Sequence, residues 1–490
     1  MAPIVQHPHL RPSDEYAQIV WASHILSYLN PFTLSKAGHP SQPNHVPGVL
    51  PDDDDDDDGE EQKLDDDDPD TDAIITDKAT PQLLAGRDEP IRQKFLNCIA
   101  ELLANKRGGK HVAATALREG EDSVEIDIAS NSPFTVEDDE YLASLARFLG
   151  ESDTWETAPR DGTIHGMEGP LLEVTVTRNA DRLDGWIERL AKLLGGTPAR
   201  PADRPADAVQ ELARRVKCFS SSTAAEEPAA RLRVVRLAIL AVLGPEATLA
   251  ELRRMAPSVN GSKAARLCRL IARPAANLRT LARIAHLLPS FRAIEFVKVA
   301  TPGSTRLGRQ QILGLADAWS RLGLPHLDRF PRQLARREGQ FRKDCARAFP
   351  VHCDAQLLLR YEAEPSLAPS LPYIGCSKRA CFLCHSLMSV LTLQTQGRGQ
   401  HGVCHPLWGV GPLQSETMQQ QLRQLCTMVK EKIVARLDQK RNRPLPLVVP
   451  QSSAVSDLAT ADMVVLRRQA ASREAVVGRN HELRKRMQIL

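Results

Sequence analysis

Six of the ten cysteines, Cys345, Cys353, Cys376, Cys381, Cys384 and Cys404, fall within sixty residues of a 490-residue chain, and two of them form the unit Cys381-Phe-Leu-Cys384. Thiols gathered this tightly point to metal ligation rather than to a disulfide framework. The other four, Cys98, Cys218, Cys268 and Cys426, stand singly on helical patterns and read as small apolar core residues. Whatever else the chain folds into, it must bring the end of one element and the start of another around this cluster.

The rest of the chain has the material for that. Hydrophobic residues make up 42% of the sequence, enough to build cores for roughly two to four domains. The net charge of +2 conceals an acidic run: Pro51 to Asp72 holds fifteen acidic residues and one lysine, leaving the remainder strongly basic. Such a run repels itself and reads as a solvated spacer or a decoy for basic partners. Met1 to Leu50 shows no basic start followed by an apolar core and a small-residue cleavage site, so the expectation is an intracellular protein, cytoplasmic or nuclear and not secreted. The longest apolar stretch, Leu237 to Leu243, is too short to span a bilayer, and no membrane association is expected.

Along the chain, residues 1–80 read as mostly disordered, apart from an apolar stretch at Tyr16 to Tyr28. Ile91, Phe95, Cys98, Ile99, Leu102 and Leu103 recur at helical steps before Gly108 and Gly109. His111 to Leu117 and Val124 to Ala129 then read as two strands around Glu119-Gly120-Glu121-Asp122, the second alternating as Val124, Ile126, Ile128, which gives a β-hairpin. Helices are predicted at Val136–Leu149, Arg182–Leu194, Ala208–Val216, Ala229–Val242, Lys263–Ile271 and Leu278–Leu288, with strands at Leu171–Thr177 and Ile294–Val299. Thr197 to Ala206 reads as a linker. The abundant arginines between Arg253 and Arg347 suit solvated helix surfaces or a nucleic-acid face. Toward the end, Gln419 to Leu437 is helical, Pro444 to Pro450 is a linker, and Asp462 to Leu490 contains a charged helix.

The chemistry concentrates in Phe349–Arg360 and Leu371–His385. His352 and Asp354 open one helical pattern, Tyr373 to Gly375 is a short strand, and Cys381-x-x-Cys384 opens the next helix. Cysteines separated by two residues at a helix start can turn both sulfurs into one site, where the helix dipole favours thiolate. A histidine at the start of a neighbouring helix is the natural third ligand for Zn2+. Three protein ligands leave a fourth position for water, which zinc acidifies toward neutrality. A carboxylate two residues beyond the histidine, here Asp354, would take and return the proton. That is the His-x-Glu and Pro-Cys-x-x-Cys arrangement of zinc deaminases, with Asp354 at the glutamate position and Ala380 at the proline position.

These segments resemble the uncharacterised, OTT-like deaminases found widely in fungi and first described from a rickettsial member, within the nucleic acid and nucleotide deaminase superfamily. Their hallmark is Val-His-(small)-Glu-x-Gln-Leu-Leu, then Tyr-Ile-Gly-Cys-Ser-Lys-x-x-Cys-Phe-Leu-Cys, then Gly-x-His-Gly and a tryptophan. The chain matches at Val351, His352, Gln356, Leu357 and Leu358, at Tyr373 through Lys378, at Cys381 through Cys384, and at Gly399, His401, Gly402 and Trp408.

The resemblance implies an α/β fold with a cytidine-deaminase-like mixed sheet flanked by helices, split by a large, mainly helical insertion. The corresponding division is 1–80 N-terminal segment with the acidic run at 51–72, 81–135 helix and hairpin, 136–335 helical insertion, 336–437 zinc-binding core and 438–490 tail. It implies hydrolytic deamination of a cytosine or adenine base in a nucleotide or nucleic acid, with His352, Cys381 and Cys384 on zinc and Asp354 as the proton shuttle. Asn131, His401 and Trp408 are candidate substrate contacts; Cys376 and Gln356 are candidates for the layer behind the ligands. Aspartate is one methylene shorter than glutamate, a loss of roughly 1.5 Å of reach. Two other readings stay open: a zinc module without turnover that recruits nucleic acid or protein, and a structural four-ligand site using Cys376, Cys381, Cys384 and a histidine.

Overall fold

A computed structural model describes residues 13–29, 88–151, 169–194, 208–221, 228–243, 246–256, 260–300, 303–325, 332–411 and 415–441. The acidic run at 51–72, the linker at Thr197–Ala206 and the charged C-terminal helix lie outside these residues. The features below belong to the compact unit Met1–Leu437; of the second unit, Asp438–Leu490, only the helical end up to Arg441 is described.

Helix α1 (Asp14–Leu29) is followed, after the undescribed residues, by α2 (Asp88–Leu103) and the hairpin strands β1 (Ala113–Glu119) and β2 (Val124–Ser130). The hairpin closes where the Gly120 N–H donates to the Ser123 carbonyl at 2.9 Å. Helix α3 (Val136–Gly150) begins at a capping box, in which Thr135 and Asp138 exchange side-chain and backbone bonds. Helices α4 (Pro170–Arg178), α5 (Ala180–Leu194), α6 (Ala208–Ser221), α7 (Pro228–Leu243), α8 (Glu246–Met255) and α9 (Gly261–Leu287) follow, then β3 (Ile294–Lys298). The sheet-proximal remainder comprises β4 (Thr305–Arg306), α10 (Leu315–Arg321), α11 (Arg332–Ala335), α12 (Glu338–Cys345), β5 (Ala348–Phe349), α13 (Cys353–Ala363), β6 (Tyr373–Cys376), α14 (Phe382–Val390), β7 (Gln396–Gly397) and α15 (Glu416–Arg441).

The main sheet runs β3-β2-β1-β6-β7. It is mixed: β1 is antiparallel to both β2 and β6, while β2–β3 and β6–β7 are parallel. The 136–335 stretch therefore supplies an edge strand as well as helices. Strand alternation divides two cores. Leu117, Val124, Ile126 and Ile128 face a core built with α2 through α9. Ala114, Ala116, Ala129 and Ile374 face one built with α1, α10 and α12 through α15. Small side chains on this second face leave room for α13. The same spacing logic fixes Gly375: a Cβ there would lie 2.5 Å from Leu96 Cβ and 2.6 Å from Thr115 Oγ1, so α2 and β6 touch backbone to side chain only because the residue is glycine.

Three expectations are corrected. Leu171–Thr177 is helix, not strand. Pro170 opens it after Gly169, Leu171, Leu172, Thr175 and Val176 share the buried face, and Thr175 Oγ1 donates back to the Leu171 carbonyl at 2.7 Å; helical burial overrides the β-branched run. Lys263–Ile271 and Leu278–Leu288 are one helix, α9, which runs through Pro274 because its buried stripe continues on either side. Cys218 is exposed, since α6 buries Val209, Leu212, Ala213, Val216 and Phe219 and Cys218 lies off that stripe. No described helix is long and apolar enough to cross a membrane.

Candidate metal centre

Two helix starts make the site. His352 is the N-cap of α13, with extended backbone, and its carbonyl accepts from the Gln356 N–H at 2.8 Å. The orphan Cys353 N–H of that first turn is taken by Asn131 Oδ1 at 2.7 Å, while Asn131 Nδ2 donates to the Gly109 carbonyl at 2.7 Å. Gln356 Nε2 donates to the carbonyls of Ser130 and Val351. Asn131 and Gln356 thus pin the His352 turn to the end of β2. Cys381 is the N-cap of α14, and its sulfur, in place of the usual oxygen, accepts the Cys384 N–H at 3.4 Å. A Cys-x-x-Cys step at this point puts one thiol on the cap and the next on the first turn, so both face the same side.

His352 Nδ1 lies 3.7 Å from Cys381 Sγ and 3.6 Å from Cys384 Sγ. The three donor atoms all fall within 4.8 Å of one another, and they form the group that could hold a metal ion among the described residues. Charge is already arranged for it. Burial opposes a thiolate at Cys381, yet hydrogen bonds from Cys384 and His352 and the positive His352 ring hold it well below the ordinary thiol value. Burial also opposes charge on His352, but Cys381 and Asp354 prevail and raise it to about 9. Burial and the neighbouring Cys381 push Cys384 upward. A cation at the centre of this trio would favour both thiolates and neutral imidazole.

Asp354 is 4% exposed and stands in the first turn of α13. Its Oδ1 accepts the Ala355 N–H at 3.0 Å. Burial raises its pKa, and the Cys381 charge adds to the rise, against the pull of His352. It lies beside Cys384 but outside the ligand trio.

The other expected residues are distributed around this centre. Trp408 is buried behind Cys384, and its indole Nε1–H donates to Cys384 Sγ at 3.2 Å. Nothing in the sequence signalled that bond; only the tertiary fold brings the indole to the sulfur. His401 Nδ1 accepts the Val403 N–H at 3.1 Å; its ring meets His405 at 5.4 Å, and His405 meets His352 at 6.2 Å between centroids. Cys376 ends β6, buried, with its thiol hydrogen-bonded to that of Cys353 and outside the trio. Ala380, at the proline position, uses the N–H that a proline would lack to reach the Gly399 carbonyl at 2.9 Å.

No curated protein and no solved structure matches the chain. A family model described as an OTT-like deaminase matches residues 351–412, a segment that contains His352, Asp354, Cys381 and Cys384, so this part of the chain is similar to a deaminase family.

Proposed function

We propose that the protein is a zinc-dependent deaminase that hydrolyses the exocyclic amine of a cytosine or adenine base in a nucleotide or nucleic acid. The observation that carries this reading is a three-donor set beside a buried carboxylate that is not one of the donors. Zinc bonded at about 2.05 Å to nitrogen and about 2.3 Å to sulfur sets those atoms about 3.6 Å apart at a tetrahedral angle. The separations of His352 Nδ1 from the two sulfurs, 3.7 and 3.6 Å, suit that geometry. When bound, zinc supplies a Lewis acid that makes water acidic enough to act as a nucleophile near neutral pH.

The chain's own groups do the rest. His352, Cys381 and Cys384 hold the ion, and the Trp408 N–H steadies Cys384 Sγ. Asp354 accepts the Ala355 N–H on Oδ1 and shares a side-chain hydrogen bond with Cys384; with the Cys384 sulfur taken up as a ligand, the carboxylate would be released to accept a proton from the attacking water and pass it to the departing amine. Burial around Asp354 raises its proton affinity, as a shuttle working near neutrality requires.

The test is ammonia release by zinc-loaded protein against free bases, nucleosides, nucleotides, RNA and DNA. Asp354→Asn should lose about 10²- to 10⁴-fold in rate with zinc content unchanged, and Asp354→Glu should retain activity. Absence of release by both wild type and Asp354→Glu across the whole panel overturns the enzymatic reading. The aspartate in place of glutamate favours one second reading, a zinc module that binds without turnover, and the same panel decides between them.

A further inference from the structure

A concave site is lined in part by Ser377 and Lys378, a few residues before Cys381 in the chain. It is a narrow pocket lined by Lys106, Arg107, His111, Arg182, Arg273 and Lys378, with Trp186 and Leu270 as its apolar wall. Among the described residues no carboxylate lines it. Two acids that touch its lining residues are engaged there: Asp181 accepts from the Arg107 N–H at 3.1 Å, and Glu101 pairs with Arg398 and with Arg273 at 3.7 Å. A cleft of one charge sign with low-dielectric walls focuses its field on a counter-ion.

The pocket is built, not incidental. Arg182 donates to the carbonyls of Glu101 and Ala104 at the end of α2 and lies over the Trp186 ring at 4.9 Å. Arg107 Nε donates to the Asp181 carbonyl at 3.1 Å, and its guanidinium rests on Gly185 in the middle of α5. A Cβ at Gly185 would fall 1.0 Å from Arg107 Nη2 and 1.8 Å from Cζ. Glycine inside a helix costs about 1 kcal/mol relative to alanine; here it admits an arginine into the pocket. Burial and Lys106 both lower the pKa of His111, against the pull of Asp181.

The pocket also abuts the ligand-bearing loops. Ser377 and Lys378 follow β6 directly and precede Cys381 by a few residues, and the Ser377 N–H donates to the Ala113 carbonyl at 3.0 Å. On the other side, Gly109 of the Lys106–His111 loop is tied to Asn131, whose Oδ1 holds the turn of His352. Loops that frame the metal centre therefore form one wall, and α5 and α9 form the other.

We propose that this pocket binds a phosphate group and, resting on the deaminase reading, that it holds the phosphate of the nucleotide whose base is presented to the metal centre. Several cations converging on one narrow site match a compact, multiply charged anion. On this view the helical region serves substrate recognition, supplying Arg182 and Arg273 to a site that the sheet-side loops alone leave half built.

The test is binding to full-length, zinc-loaded protein by calorimetry, with four probes: inorganic phosphate, a nucleoside, its 5′-monophosphate, and a short single-stranded oligonucleotide of the same base. The monophosphate or the oligonucleotide should bind at least tenfold more tightly than the nucleoside, and which of them does identifies the phosphate's source. Lys378→Gln should remove roughly tenfold of that difference, the scale of one charge-assisted contact. Gly185→Ala should act in the same direction without removing any charge and while favouring the helix, so a loss there is not a folding defect. Asp354→Asn should leave the difference intact, because the readout is affinity and not turnover. Phosphate binding with no ammonia release would sink only the deaminase reading; equal affinity for nucleoside, monophosphate and oligonucleotide, or indifference to both Lys378→Gln and Gly185→Ala, overturns the phosphate pocket.

Discussion

On one face of the sheet, Val124, Ile126 and Ile128 project into a core whose other side is a stack of long helices filled by Leu, Ile and Ala, among them Ile271, Leu281 and Ile284 of α9. On the opposite face, Ala114, Ala116 and Ala129 withdraw from α13, and the layer above them carries His352, Asp354, Cys381 and Cys384. The first face spends its side-chain volume on burial. The second gives up volume at the strands so that helix starts, with their polar ends, can come close to the sheet. That contrast explains why the helical half offers apolar surface and cations, whereas the three-donor group that could hold a metal ion, among the described residues, lies in the other half.

The largest separation of the two faces should come from Cys381→Ala against Ile271→Ala. Removing Cys381 takes away one of the three donors that could hold the metal and the N-cap of α14, so on the proposed reading zinc affinity should fall on the order of a thousandfold. Ile271, fully buried, should cost about 2–5 kcal/mol of folding stability on truncation while zinc stoichiometry stays at one. Zinc titration followed by urea unfolding reads both; a large change in zinc affinity from Ile271→Ala would show that the faces are coupled rather than separate.

Next in size is Glu101→Gln. Glu101 joins the helical side to the metal side, since its carboxylate meets Arg273 and Asn277 of α9 and Arg398 from the loop after β7. Burial works against its charge, but Arg273 and Arg398 hold its pKa well below the ordinary carboxylate value. A pKa depressed in the folded state contributes stability that is present above the unfolded value, about 4.3 for Glu, and that is lost as pH falls below it toward the native value. Glu101→Gln should therefore cost about 3–5 kcal/mol near neutral pH, the cost of breaking a buried pair, and should flatten the loss of stability below about pH 4.3. Unfolding midpoints measured from pH 3 to 7 check both; an unchanged acid limb would remove Glu101 as the link.

The metal trio was legible in the sequence because its geometry is local: a cap residue and a first-turn residue three apart on α14, and a cap residue on α13, need only the helices to start where they do. The hairpin was legible from the alternation of Val124, Ile126 and Ile128 and the turn residues before them, and the strand at Ile294–Lys298 from its short apolar run. Leu171–Thr177 was not, because its β-branched residues carry a strand propensity that a shared buried face overrides, and α9 was divided at Pro274 because sequence alone cannot weigh one missing hydrogen bond against a stripe that continues past it. The basic pocket was illegible for a different reason. Its residues come from four separated segments, and its shape depends on a glycine, Gly185, whose value appears only when Arg107 lies across it.

Gly375→Ala probes the seam between the faces, and its effect should be smaller. The new methyl would strike Leu96 Cβ, Leu96 C and Thr115 Oγ1, all at 2.5–2.7 Å; overpacking of this kind costs about 1–3 kcal/mol. Because β6 leads directly to the Cys381 loop, zinc affinity should weaken together with stability, unlike the outcome for Ile271→Ala. A stability loss with zinc affinity untouched would mean that the loop, held by Gly399 and Val403 through Ala380 and Phe382, sets the thiols without help from the strand.

The smallest expected effect is that of Trp408→Phe, and it tests how far the chemical face extends beyond the ligands. The indole is almost wholly buried, its N–H reaches Cys384 Sγ at 3.2 Å, and its own carbonyl accepts from Tyr16 Oη at 3.2 Å, which ties α1 to the site. Phenylalanine keeps most of the apolar contact and removes only the donor. An N–H aimed at a ligating sulfur fixes its orientation and moderates its basicity, and losing such a contact typically costs about tenfold in metal affinity. Competition with a zinc-sensing chelator should show that loss with a thermal midpoint little changed. If zinc affinity were unaltered, Trp408 would act on this face as Ile271 does on the other, by filling space, and the metal-binding layer would end at Cys384 itself.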